Sequence, residues 1–411
     1  MKKYIGQTID RNISTRICLF IFVLCSILSY LYVCIYGSYN GDFLGKPSSL
    51  KNNILLLNLL ITILPFFAVY YVFHWCVRIP VKHKISIPVK EFGVFLFFFL
   101  IFKVITTKIY AVGVLSEDLY SAPLWILPFI KISNKIDPVF GVCIYSLVVS
   151  KKSKLLPILY ILILFISILQ HSIFVLFTFF VLYIIKHSKN LSLIIKKQFP
   201  ILLLLLLFSP KIVGSIYSYR SELRGEADIT AAIKMSGPIL LHGKLIGRLS
   251  SFSDSAIIIE DKTTITRIVK EHFFTFMYPI ESLSVFIGGP FEKWNYSYPR
   301  IVLQSQGYYN KKVTYFLGIQ GALMVGLYYS PLAFLVNIIT IFFFWFIVFR
   351  IIMLLPYEGL PEIIFFFILT GVMSGLSVNP MGLFMNIFCC IIVFLIINCL
   401  KKNIKFNFYY K

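Results

Sequence analysis

Apolar residues in this chain fall in long unbroken runs, such as 201–208 and 341–349, rather than in the strict alternation of a half-buried strand. A transmembrane barrel needs that alternation, so barrels are excluded. Runs separated by short polar tracts predict membrane-spanning helices, each needing roughly 20 apolar residues. Ten spans are expected, at 17–37, 54–73, 92–107, 136–150, 155–169, 173–185, 199–217, 321–349, 361–376 and 381–400. Several are short for a bilayer, 136–150 and 173–185 most of all. The first is too long for the core of a signal peptide and lacks a small-residue cleavage site, so it reads as a span. The expected fold class is an all-α polytopic integral membrane protein. Helices 1–7 occupy 1–217, a large loop 218–312, and helices 8–10 with a tail 313–411.

Composition agrees. Hydrophobic residues make up 59% and charged residues 14%, with mean hydropathy +0.86; soluble proteins carry about 25% charged residues. Soluble multidomain, disordered and disulfide-rich secreted classes are thereby excluded. The net charge of +22 would suggest nucleic acid in a soluble chain. Here the basic residues are scattered over span ends, where they anchor the cytoplasmic side, and no nucleic-acid partner is expected. With the N-terminus inside, the inside segments hold 20 Lys and Arg and the short outside segments five. That asymmetry predicts both termini in the cytoplasm.

Seven of the eight cysteines fall within expected spans, Cys389 and Cys390 among them, and Cys76 lies at an inner boundary. None falls in an outside loop, and no spacing suits a disulfide framework or a metal. The sequence holds no P-loop, dinucleotide fingerprint or internal repeat. Lys103 and Lys211 alone stand clearly within spans, few for a charged path across the bilayer.

Residues 218–312 break the pattern, with nine of the 17 acids and five of the nine arginines. A loop of this length points to function. By parity it lies outside, where no ATP is available, so any substrate there must already be activated. Arg220 and Arg224 follow the seventh span four residues apart, one helix face at headgroup height, and suit a diphosphate through two-pronged hydrogen bonds. In His242-Gly243-Lys244-Leu245-Ile246-Gly247-Arg248, His242 is a candidate general base and Arg248 a candidate phosphate or sugar ligand. Ser250, Ser251, Ser253 and Asp254 offer hydroxyl and carboxylate groups to sugars. Residues 263–287 read as an amphipathic stretch on the bilayer surface, with Arg267, Glu271 and His272 on its polar face. The tract 288–296 is rich in glycine and aromatics. His171, in the tight turn 170–172, lies in the same outer plane. Arg267, Arg300 and His171 complete the candidate substrate-binding set. No metal or cofactor is expected. Arg11 and Arg350, on the inner side, are expected to tolerate alanine.

The layout resembles the Wzy-type O-antigen polymerases of bacterial inner membranes. About ten spans, a short polar turn between two short middle spans and one large Arg-rich outer loop carry the resemblance. So does the glycine-containing start of the next span, Gly318-Ile319-Gln320-Gly321-Ala322. Arg224 and Gly237 match the family's arginine-then-glycine pattern only with altered spacing. Tyr309-Asn310 stands where the related ligases carry His-Asn. The resemblance implies a C-type glycosyltransferase fold and transfer of a growing glycan from undecaprenyl diphosphate onto an undecaprenyl-diphosphate-linked repeat unit at the periplasmic face. Its implied partners are the two lipid-linked oligosaccharides, membrane lipid and a chain-length regulator. An O-antigen ligase, another lipid-linked-sugar transferase and a flippase are the alternative readings.

Overall fold

The computed structural model describes residues 9–81, 88–113, 122–134, 136–149, 153–170, 172, 174–224, 241–271, 298–307, 317–375 and 396; of 201–203, 205–206, 212–213, 216–224, 241–242 and 298–300 the backbone alone is described. Among these residues the regular structure is helical, apart from one isolated bridge between Ser38 and Pro47.

Helix α1 (Arg11–Tyr36) opens at Asp10, whose side chain accepts the Ile13 N–H at 3.0 Å, and closes at Gly37. A loop bearing a 3-10 turn (Gly41–Phe43) leads to α2 (Asn52–Arg78). Helices α3 (Val89–Tyr110), α4 (Leu127–Ser133), α5 (Pro138–Val148), α6 (Leu155–Leu169), α7 (Phe174–Lys186) and α8 (Leu191–Arg224) follow. A π-helical turn (Leu241–Ile246) precedes α9 (Gly247–Ser250), α10 (Phe252–Glu260), α11 (Lys262–Glu271) and α12 (Tyr298–Ser305). The described chain continues with α13 (Gly318–Tyr329), α14 (Pro331–Met353) and α15 (Leu360–Ser374).

Unlike those of a soluble bundle, the long helices are apolar on their outer faces as well as their inner ones. On α2, Leu57, Leu60, Leu64, Phe67, Tyr71 and Trp75 form an exposed apolar stripe at helical spacing, whereas Asn58 and Thr62 are buried. On α1, Ser14, Thr15, Ser26 and Ser29 are buried while Phe20 and Ile35 are exposed. An apolar exterior, with small polar side chains turned into a largely apolar interior, is the distribution a hydrocarbon solvent selects. Helices α1, α2, α3 and α14 are long and apolar enough to cross a membrane. Helix α7 and the stretch Ser188–Pro200 add a fifth if that pair, bent by 75°, counts as one span. The protein is thus an all-α membrane protein.

The second and third expected spans lie within α2 and α3, and the first lies within α1 up to its cap at Gly37. Those at 136–150, 155–169 and 361–376 correspond to apolar helices of 11, 15 and 15 residues. The expected 199–217 falls inside α8, which carries Pro200 and Pro210, and 381–400 lies outside the described residues except for Ile396. The continuous span expected at 321–349 is divided. Ser330 is extended (φ −162°, ψ 150°) and its side chain accepts the Ala333 N–H, opening α14, and Pro331 has no N–H with which to continue α13.

One end of the bundle is basic. Arg11 pairs there with Glu362, and Arg350 donates to the carbonyls of Cys76 and Ile79 at 3.1 and 2.7 Å. The Asp10 N–H donates to Ser188 Oγ at 2.7 Å, two residues beyond Lys186. The opposite, loop end holds residues 37–51 and the helices α9–α12. Part of the segment expected to be a loop is core: Phe252, Ala256, Ile257 and Ile258 are fully buried, and α10 packs on α1, α2 and α13.

Three helix ends meet at this buried segment, each at a left-handed residue. Helix α10 begins after Ser251 (φ +54°), α13 begins at Gly318 (φ +68°) and α15 ends at Gly375 (φ +77°). A Cβ on Gly375 would stand 3.3 Å from the backbone N and O of Gly318. The Ser251 hydroxyl donates to the Met373 carbonyl, and the Ser251 carbonyl accepts from Gln320 Nε2 at 3.1 Å. Ser251 and Gly318 are buried here, so the broken backbone is surrounded by protein and its polar groups find partners within it.

Candidate functional site

The turn from the π-helical segment into α9 crosses the first loop at Gly247 and Gly41. A Cβ on Gly247 would lie 2.7 Å from Gly41 Cα and 2.8 Å from Asn40 Cγ, so only glycine permits the crossing. This approach brings Arg248 onto Asp42, the sole carboxylate of residues 37–51. Asp42 Oδ1 receives Arg248 Nε at 2.6 Å and Nη2 at 2.5 Å. The two side chains are 23% and 10% exposed, a shielded pair that still reaches the surface.

Asp254 stands beside this pair and is buried, and its Oδ1 has no hydrogen-bond partner. Burial first, and the Asp42 carboxylate second, push its carboxyl well above the usual carboxylate range; Arg248 and Lys244 act the other way. Arg248 and Lys244 bring positive charge to this cluster, with Asp42 set against Arg248.

The serines expected to meet sugars are used within the protein. Ser250 Oγ donates to Ser29 Oγ at 2.8 Å, and Ser253 Oγ donates to Asn40 Oδ1 at 2.6 Å and accepts the Asn40 N–H at 3.1 Å. Asn40 Nδ2 donates to Ser29 Oγ, and Asn58 Nδ2 to the Phe252 carbonyl, both at 3.0 Å. These bonds clamp α9 and α10 between α1, α2 and the first loop. Farther out, Glu260 accepts from Tyr39 Oη at 2.8 Å and from the Ser49 N–H at 2.8 Å. Burial alone would raise the Glu260 carboxyl, but the Ser49 hydroxyl, which also donates to it, then these two bonds and Lys46 nearby outweigh burial and hold it below its ordinary value.

Of the residues expected from sequence, Arg248 stands in this cluster. His242 belongs to the adjoining π-helical turn, against which α8 packs, and Arg220 and Arg224 lie in the last turns of α8; all three are described by backbone alone. Arg300, in α12, is likewise described by backbone. His171, His272 and residues 288–296 lie outside the described residues. Arg267 is on the exposed face of α11, 3.8 Å from Glu271, while Ile265 and Val269 face inward. This amphipathic pattern matches the expected one over Lys262–Glu271. Sequence reasoning missed Asp42, Asn40 and Ser29, whose roles depend on the Gly41–Gly247 crossing. The isolated Asp in the Asn40-Gly41-Asp42 turn was the available signal.

No group of three or more His, Cys, Asp or Glu among the described residues is placed to hold a metal. No family model, curated protein or solved structure matches the chain.

Proposed function

We propose that the protein is a membrane glycosyltransferase that polymerises lipid-linked repeat units, with the loop end of the bundle facing the periplasm and the basic end the cytoplasm. The ten-span arrangement with both termini cytoplasmic belongs to this reading, as does its place in the bacterial inner membrane. The observation that carries it is the shielded Arg248–Asp42 pair beside Lys244, on a segment that re-enters the bundle where helices α10, α13 and α15 break. An activated sugar on a diphosphate needs positive charge where the leaving group departs. Arg248 and Lys244 supply it without a metal, and Asp42 fixes the guanidinium.

In the proposed reaction an acceptor hydroxyl attacks the anomeric carbon of the growing glycan. Its oxygen forms the new bond, the bond to diphosphate breaks with its electron pair on the departing oxygen, and the hydroxyl proton passes to His242. In this reading Arg220 and Arg224, in the last turns of α8, are the further residues that meet the lipid diphosphate. Direct displacement inverts the anomeric centre. Deleting the gene tests the assignment. A polymerase deletion leaves lipid core carrying a single repeat unit, whereas loss of even that unit would favour a ligase or a flippase.

A further inference from the structure

Helix α4 lies beside the last turns of α3, not beyond them. Ile126, at its N-terminal cap, and Ile130 form a small core with Val112, against which Phe102 and Tyr110 of α3 pack. At the other end of α4, Asn134 Oδ1 accepts from Lys103 Nζ at 2.7 Å. Phe102 and Lys103 stand eight and seven residues before α3 ends at Tyr110, about 10 Å along the axis. Helix α3 is long and apolar enough to cross a membrane, so α4 runs back into the depth that α3 crosses.

Beyond Asn134, Asp137 opens α5 by accepting the N–H groups of Val139 and Phe140 at 2.8 and 3.2 Å. Asp137 also acts electrostatically on Lys103, so the charge of the lysine is met within the protein at this depth. Helix α5 has 11 residues, or about 16 Å, too short for a hydrocarbon core of about 30 Å. The seven residues of α4 lie on the side where α5 falls short.

The surface of α4 agrees. Trp125, Phe129 and Ile132, at helical spacing, are 70, 61 and 65% exposed, and Leu124 is exposed beside them. The opposite face, Ile126, Ile130 and Ser133, is buried. A helix resting in water turns polar residues outward. This one turns out a Trp, a Phe and an Ile, and its exposed Lys131 has a stem long enough to carry the ammonium to headgroups. The outer face of α3 has the same character, with Phe98, Ile105 and Ile109 exposed.

We propose that α4 is sunk in the leaflet at the loop end of the bundle, where its Leu124, Trp125, Phe129 and Ile132 face contacts lipid acyl chains. Helices α4 and α5 then form one broken crossing, with Lys103, Asn134 and Asp137 at the break. The apolar runs of the sequence leave α4 outside, between two expected spans. The proposal stands without the polymerase reading.

Quenching of Trp125 tests this. Full-length protein would be reconstituted in phosphatidylcholine liposomes, and the emission of Trp125 taken as the difference between wild type and Trp125→Phe. Phosphatidylcholine brominated on its acyl chains should remove most of that difference, while aqueous iodide should leave it. Arg248→Ala should behave as wild type, since this face owes nothing to the Arg248 cluster. Phe129→Asp, a change that an exposed position in water tolerates, should lower the melting temperature in liposomes, because it sets a carboxylate among acyl chains. A Trp125 quenched by iodide and untouched by the brominated lipid overturns the proposal and returns the face to water or a soluble partner. So does a Phe129→Asp protein that melts as wild type does.

Discussion

Arg248 was legible as a chemical residue because a guanidinium directly after a glycine-containing turn, outside the spans, invites a phosphate. Its partner was not, since Asp42 lies 206 positions away and meets it only through a backbone crossing. Removing Arg248 deletes charge at the leaving group, so Arg248→Ala should lower polymerisation about 10- to 1000-fold with protein level unchanged. Arg248→Lys should recover part of it, because a point charge does not reproduce the two-pronged fork. Asp42→Ala should also lower activity, and the double variant should lose less than the sum of the two, as a shielded pair requires; strict additivity in that cycle would show the contact to be idle. Asp254 makes a pH prediction. Its folded pKa is raised, so the folded state holds a proton that the unfolded state releases. Stability therefore falls as pH rises from the ordinary carboxylate range toward the folded value. Asp254→Asn should melt higher than wild type at pH 8 and show a smaller gain at pH 5, measured by thermal unfolding in detergent. Arg11 and Arg350 are not the neutral controls that the sequence suggests. Arg11 Nε holds the buried Glu362 at 2.5 Å, and Arg350 ties the ends of α2 and α14 together. Arg11→Ala should cost about 1–3 kcal/mol, less than a fully buried pair because Arg11 is 40% exposed. The exposed Lys196 is the better control.

Helices were legible as far as hydropathy could show them, so α1, α2 and α3 overlie the expected runs closely. Hydropathy does not record where a helix breaks. Ser330-Pro331 sits within an apolar run, and its effect came from the missing N–H of proline and the capping hydroxyl rather than from polarity. The buried placement of α9 and α10 was hidden for the opposite reason: Ser250, Ser251, Ser253, Asp254 and Ser255 look solvated in sequence. The serines are buried because their hydroxyls find partners within the bundle: Ser250 on α1, Ser253 on the first loop, Ser251 on the Met373 carbonyl of α15 and Ser255 on backbone carbonyls around the start of its own helix. The crossing of Gly41 and Gly247 makes this testable. Gly247→Ala puts a methyl against backbone, which cannot yield as a side-chain tip can. It should destabilise the protein and uncouple Arg248 from Asp42, so that adding Asp42→Ala to it changes activity no further. A Gly247→Ala protein with wild-type melting and activity would contradict the crossing.

At the scale of the whole molecule, the excess of Lys and Arg on the segments proposed to lie inside agrees with the clustering of Arg11, Arg78, Arg350 and Lys186 at one end of the bundle. In a background without Cys34, a cysteine in place of the exposed Lys270 should react with a membrane-impermeant maleimide from the periplasmic side, and one in place of Lys196 should not. Equal labelling would remove the proposed sidedness and the substrate supply that depends on it. The central claim is that the loop end joins lipid-linked sugars by displacing a diphosphate. Reconstitution tests it most directly: purified protein in liposomes with the lipid-linked repeat units of its own host, no nucleotide, and chelator present. The account predicts a ladder of glycans, one undecaprenyl diphosphate released for each bond formed, and no ladder with Arg248→Ala. A wild-type protein that leaves the units single, or an Arg248→Ala protein that builds the same ladder, would contradict it.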